Sequence, residues 1–265
     1  MTRSAGSYTP PPDVTVREAD LLEPSTLDSV LEGIDVAYYL VHSLGTGPSF
    51  ARRDRTAAHH FTSAADQAGI QRVIYLGGLG ETGPALSEHL RSRREVETIL
   101  AEGSYELTTL RAAIIVGARS ASFRMMRQLV ERLPIMITPR WVRTSCQPIA
   151  LQDVVGYLTG VLEVPETAGE TFEIGGPEVL TYQEMLVRTG AQLGKHPRII
   201  PVPVLTPALS VYWVDLVTDI PKQVAHPLVY GLATPVVARD DRIRSLVPIT
   251  LTPFDDAVSL ALARD

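Results

Sequence analysis

The stretch DVAYYLVHS, residues 35–43, decides the fold. Residues 36–41 form an unbroken apolar run. A strand with one wet face would alternate, so this one is expected to be covered on both sides of a parallel sheet. The run ends at His42-Ser43, and Gly45-Thr46-Gly47-Pro48 opens a loop before a helix expected over 49–68 and stopped by Gly69. The cycle then repeats, with a strand over 72–76, a loop over 77–84, a helix over 87–101 and a strand over 107–116. This β-α-β-α-β order predicts an α/β fold, a doubly wound parallel sheet with right-handed crossovers.

Upstream, residues 14–19 alternate as a short strand ending at Asp20, and Pro24-Ser25 opens a helix carrying Leu27, Val30 and Leu31. Downstream the pattern gives a helix over 123–132, short strands near Met136 and Gln147, a helix over 150–162, and a strand over 171–174 ending in Gly175-Gly176-Pro177. After Tyr182 the reading changes to one helix as far as Leu193, an apolar segment over 199–204, and a weakly amphipathic region over 207–232 broken by prolines. That tail is too apolar for a solvated extension and reads as a small helical cap on the sheet edge, over a pocket. The expected division is a disordered Pro-rich leader over 1–13, the α/β domain over 14–180, and the cap over 181–265.

The 265 residues are 45% hydrophobic, 20% charged and carry a net charge of −6. No basic stripe exists, which excludes a nucleic-acid partner. No long apolar run is present, so no membrane span is expected. The single Cys146 suits a reducing, cytoplasmic compartment and excludes an internal disulfide framework. No metal-ligand spacing occurs; His59 and His60 are adjacent and point to different faces of one helix.

Six phrases then occur in order: READLL (17–22), VAYYLVHS (36–43), VIYLGGLG (73–80), LRAAIIVG (110–117), QPIALQDV (147–154) and FEIGGP (172–177). Their succession resembles the atypical, NmrA-like branch of the extended short-chain dehydrogenases, described as NAD(P)H-binding or nucleotide-sugar-epimerase-like, over roughly residues 14–260. The resemblance implies a Rossmann-like domain, an NAD(P) cofactor and a small-molecule substrate of unspecified kind. It makes residues 14–19 the family's third strand, so the strand, glycine loop, helix and second strand that precede it in relatives are missing. Cofactor affinity is then expected to be weak or lost. The family's strand order 3-2-1-4-5-6 would leave the strand at 36–41 with a bare edge. A truncated gene product whose true start lies upstream is the expected explanation, with residues 14–19 sliding into the gap to cover that edge. A second copy in a homo-oligomer, or a partner chain, would also cover it.

The resemblance also assigns sites. Asp20 and Leu21 stand where relatives contact adenine, Val41 and His42 where they line the cofactor ribose, and Gly77 and Gly78 at the nicotinamide end. The Tyr-x-x-x-Lys pair of active relatives is replaced by His89 and Arg93, which share a helix face at i and i+4. His89 would be a proton donor near neutral pH, whereas Arg93 would stay charged and hold phosphate or ribose. The supporting Ser is a glycine, so standard Tyr-dependent hydride chemistry is not supported. Each residue also has a structural reading: Asp20 as a helix-start carboxylate, and His89 and Arg93 as a polar helix face near Glu88, Glu95 and Glu97. Residues 78–83, GLGETG, match G-x-G-x-x-G, but Pro84 and Ala85 separate the last glycine from the helix that would present its N-terminus to a phosphate. Arg111, Arg140, Arg143 and Gln147 are candidates to face the cap, with Arg140-Trp141 as a site for an anionic or aromatic group. Two functions are left: an atypical NAD(P)-dependent oxidoreductase, or a non-catalytic nucleotide-sensing or assembly module.

Overall fold

The computed structural model describes every residue except Pro48, 81–86, 203–213, 215–216 and Asp265, and for Ser7 and Arg140 only the backbone. Its strands are β1 (Val36–Tyr39), β2 (Arg72–Gly78), β3 (Glu106–Ala112), β4 (Ile115–Val116), β5 (Ile135–Pro139), β6 (Ser145–Cys146), β7 (Ile149–Ala150), β8 (Thr171–Ile174), β9 (Leu180–Thr181) and β10 (Arg198–Val202). The helices are α1 (Asp28–Leu31), α2 (Phe50–Ala68), α3 (Glu88–Leu100), α4 (Ala121–Arg132), α5 (Leu151–Glu163), α6 (Tyr182–Gln192), α7 (Lys222–Gly231), α8 (Arg242–Leu246) and α9 (Phe254–Ala263).

The main sheet runs β1-β2-β3-β8, every pair parallel, with Val36 opposite Arg72, Arg72 opposite Glu106 and Thr109 opposite Thr171. Strand alternation sets its two cores. From β2, Val73 and Tyr75 enter one cluster with Tyr39, Ala57, Ala58 and Phe61, on the side of α2 and α3. Ile74 enters the opposite cluster with Leu110, Phe172, Val154, Tyr157 and Val161, on the side of α5. Glycine ends α2 as its sequence requires: Gly69 has φ 71° and its N–H reaches back to the Ala65 and Asp66 carbonyls. Ser87 caps α3 by accepting from the Leu90 N–H, and Thr181 with Glu184 forms a reciprocal capping box on α6.

Two expectations need correction. Residues 14–19 neither form a strand of the sheet nor fill a central slot. Glu18 alone makes a parallel bridge, to Thr2. The partner is part of the supposed disordered leader: the Thr2 N–H donates to the Arg17 carbonyl, the Ala19 N–H to the Thr2 carbonyl, and the Ala5 N–H to Glu18. A short-range ladder within the first twenty residues has satisfied backbone groups that a sliding strand would have spent on the sheet. Among the described residues β1 pairs with β2 alone, leaving its other edge bare, with Leu40 and Val41 exposed just beyond it.

Of the proline-interrupted region over 207–232, residues 207–213 and 215–216 lie outside the described residues; its described part contains α7, with Pro227 inside it. Of the apolar segment at 199–204, the described residues 199–202 lie in β10, which pairs in parallel with β5. A third core joins β4, α4, β6, α6 and α9 through Val116, Phe123, Cys146, Met185 and Phe254, so it draws on residues from both sides of position 180. The Gly175-Gly176 pair has a packing reason: a Cβ on Gly176 would lie 2.2 Å from the Pro148 carbonyl oxygen, and one on Gly175 would strike the Gln147 side chain at 2.6 Å. Gln147 is buried there, donating to the Gly176 carbonyl and accepting from the Ala238 N–H.

Candidate functional site

The C-terminal ends of parallel strands are where doubly wound sheets hold their ligands, and a cavity of about 1240 Å³ lies there. His42 reaches it from beyond β1, Gly77 and Gly78 from the end of β2, and His89 and Arg93 from α3. Five of the eight residues singled out from sequence thus converge on one wall. Asp20, Leu21 and Val41 do not line it. Asp20 caps its own turn, its carboxylate accepting from the Leu22 N–H and its N–H donating to Thr26 Oγ1. Leu21 is core, and its carbonyl meets His60 Nδ1 at 2.7 Å.

Arg93 is committed. It is buried, one guanidinium nitrogen donating to the Leu76 carbonyl at 2.6 Å and the other to the Val41 carbonyl at 3.4 Å. Its cationic carbon sits 5.3 Å from the centre of the Tyr75 ring, whose hydroxyl donates to the Arg93 carbonyl. The side chain therefore ties the ends of β1 and β2 to α3. Gly78 lets α3 approach: a Cβ there would meet Leu90 at 2.8 Å. Behind this wall the buried Asp54 accepts from the Ser43 N–H and from Ser92 Oγ, fixing the turn that presents His42. No spacing rule links Asp54 to Ser92; only the packing of α2 on α3 brings them together.

Electrostatics at this wall disfavour protons. Burial pushes His89 down to about 4, with Arg93 and His42 adding to the effect. His89 is therefore a neutral imidazole at physiological pH, able to donate or accept one hydrogen bond but carrying no charge. His42 is lowered by desolvation and by Arg93, against an upward pull from Asp54. Its ring keeps much solvent contact, which screens those charges.

Away from this wall the lining is mostly apolar, with Met125, Met126 and Leu129 of α4 beside Met136, Trp141 and Leu186. Arg111, a cap-facing candidate by sequence, is instead paired with Glu97; Arg143 does not line the cavity, and the Arg140 side chain lies outside the described residues. The glycine motif at 78–83 falls partly outside them as well. Cys146 is fully buried beside Tyr182, and burial pushes its thiol up to about 12, so it is not a nucleophile. No cluster of metal-ligating groups occurs among the described residues.

This wall thus presents glycine backbone at the end of β2 flanked by the imidazoles of His42 and His89. Asp20 and Leu21 stand apart from this wall, the first capping its own turn and the second packed in the core against α2.

The model of a family described as NAD(P)H-binding matches residues 1–127. Subunit 9 of the NADH dehydrogenase [ubiquinone] 1 alpha subcomplex, mitochondrial, from Arabidopsis thaliana is 24% identical over 202 residues, which is 74% of this chain and 48% of that protein. Its counterpart from Dictyostelium discoideum is 25% identical over 118 residues, 44% of this chain and 33% of that protein. The chain thus spans half or less of these relatives. Among solved structures, a nucleoside-diphosphate-sugar epimerase from Staphylococcus aureus superposes with a TM-score of 0.78 at 15% identity, covering 97% of this chain and 88% of that one. Triphenylmethane reductase of Citrobacter sp. complexed with NADP(H) gives 0.71 at 18% identity, covering 94% and 84%. The fold of this chain is the fold of those enzymes.

Proposed function

From the NAD(P)H-binding family domain over residues 1–127 and the reductase- and epimerase-like fold around it, we propose that this chain is a short-chain-dehydrogenase-like protein that binds NAD(P)H weakly and holds a small molecule beside its nicotinamide. The observation that carries this reading is the convergence of His42, Gly77, Gly78 and His89, from three elements, on one wall of the large cavity. When bound, the nicotinamide supplies a hydride. His89, being neutral, contributes a hydrogen bond to an oxygen that gains charge rather than a proton from an imidazolium. Arg93 acts as a positioning residue, since its nitrogens are taken up by the Val41 and Leu76 carbonyls. The single buried thiol suits a cytoplasmic protein.

A second reading, a non-catalytic nucleotide-sensing or assembly module, is favoured by a different observation. The outer edge of β1 is bare among the described residues, and a partner chain or a second copy would cover it. The relatives named as subunits of an NADH dehydrogenase complex agree with that reading.

Titration of the purified chain with NADPH and NADH, followed by nicotinamide fluorescence, separates the two. Saturable binding that His89→Gln weakens severalfold, with turnover of a carbonyl substrate, supports the oxidoreductase. Saturable binding without turnover supports the module. No saturation by either nucleotide sinks the cofactor reading itself.

A further inference from the structure

The chain as a whole is acidic, with 30 Asp and Glu against 24 Lys and Arg. The large cavity reverses that balance. Its described lining contains Arg93, Arg119 and Arg264 together with His42 and His89, and no Asp or Glu. The cationic groups also divide by position. Arg93 stands at the β1–β2 end beside the uncharged His89 and His42, where it is fixed to backbone carbonyls. Arg119 follows β4 just before α4, and Arg264 ends α9, which packs against β4 and β7. Both are exposed at the rim, and neither is drawn into an ion pair among the described residues.

Between the two ends the wall is methionine, leucine, isoleucine and valine, with few polar side chains. A sugar placed there would lose water from several hydroxyls and recover few hydrogen bonds, at a cost for each one left unpaired. The volume, about 1240 Å³, exceeds the range of roughly 300 to 1,000 Å³ usual for small-molecule pockets. It accommodates more than a nicotinamide. The geometry points to an amphipathic anion as the cavity's ligand, its apolar body against Met125, Met126, Leu129 and Leu186 and its single anionic head at the Arg119–Arg264 rim. This deepens the reading of the cavity as a small-molecule site next to a cofactor wall, and rests on it only for the position of the nicotinamide.

The same chemistry is offered by a long acyl carboxylate and by a fused-ring carboxylate, so the test carries both. The full chain is titrated calorimetrically, below micelle concentration, with oleate, cholate, oleyl alcohol and UDP-glucose, and separately with NADPH. Oleate or cholate should bind saturably, and whichever binds tighter identifies the body as chain or ring. Oleyl alcohol should bind about tenfold more weakly than oleate, the difference shrinking with added salt, and UDP-glucose should not bind. The R119Q/R264Q double variant, with exposed positions and an unchanged Tm expected, should bring oleate down to the affinity of the alcohol. Equal affinity for oleate and oleyl alcohol, an undiminished oleate affinity in the double variant, or binding of UDP-glucose alone overturns the proposal. So does a failure of both carboxylates to bind. If NADPH binds and neither carboxylate does, this inference fails and the cofactor reading stands; the converse result leaves this inference standing alone.

Discussion

The two ends of the cavity are made in different ways. At the β1–β2 end, backbone is on display: strand termini, two glycines and a turn, held in place by the buried hydrogen-bonding groups Asp54 and Arg93. At the α4–α9 end, backbone is hidden behind large flexible side chains, and the wall is continuous with a hydrophobic core. The first end is built for directional contacts and is intolerant of any change in its polar supports. Apart from Arg119 and Arg264 at its rim, the second offers surface without direction and tolerates shape changes better than added negative charge. A protein with this division can keep the place of a cofactor fixed while its other ligand varies.

The comparison can be broken most forcefully at the apolar end. Phe123, 1% exposed, belongs to the core behind that wall. Phe123→Ala is expected to cost about 3 to 5 kcal/mol in urea unfolding. A loss under about 1 kcal/mol would mean that the end is a loose cap instead of a packed core. Next in size is Arg93→Met, which keeps the apolar stem and removes the donors to the Val41 and Leu76 carbonyls. Hydrogen bonds to a charged group contribute about 1.5 to 3 kcal/mol each, but the variant also relieves a buried cation, so a net loss of about 2 kcal/mol is expected. Amide exchange should quicken at the ends of β1 and β2 before the rest of the sheet. Uniform acceleration would refute the strap.

The smallest effect is on pH. His89 has a folded pKa near 4 against an ordinary 6.5, so the unfolded chain binds the proton more readily. Its contribution is fully present above about pH 6.5 and is lost as pH falls towards 4, amounting to about 1 to 3 kcal/mol after allowance for partial solvent contact. His89→Gln should flatten that part of the stability profile. An unchanged slope would place the imidazole in a wetter setting than the site requires.

Much of the first end was legible in sequence, because its determinants are local. The apolar run at 36–41, the glycines at 77 and 78, and the i, i+4 pair at 89 and 93 each announce a strand end or a helix face. What the sequence could not disclose is what those groups touch. Arg93 looked available for a phosphate, yet its partners are carbonyls 17 and 52 residues away. The capture of the Ser43 N–H by Asp54 likewise depends on how α2 docks. The apolar end was nearly illegible, since its wall is assembled from α4, β5, α6 and α9 and no single segment shows a pattern of its own. The ladder between Thr2 and Glu18 escaped notice for another reason: prolines at 10–12 suggested disorder, while the backbone on either side of them is brought together by two hydrogen bonds.

One residue already described turns this molecule into its own clock. Cys146 is the only thiol, has no solvent contact, and carries a proton that burial makes hard to remove. It sits in the core behind the apolar end. A thiol reagent can reach it only during the brief openings of that core, so the rate of alkylation counts those openings directly. Anything that lodges in the cavity and braces its wall slows the count, whether or not its chemical identity is known.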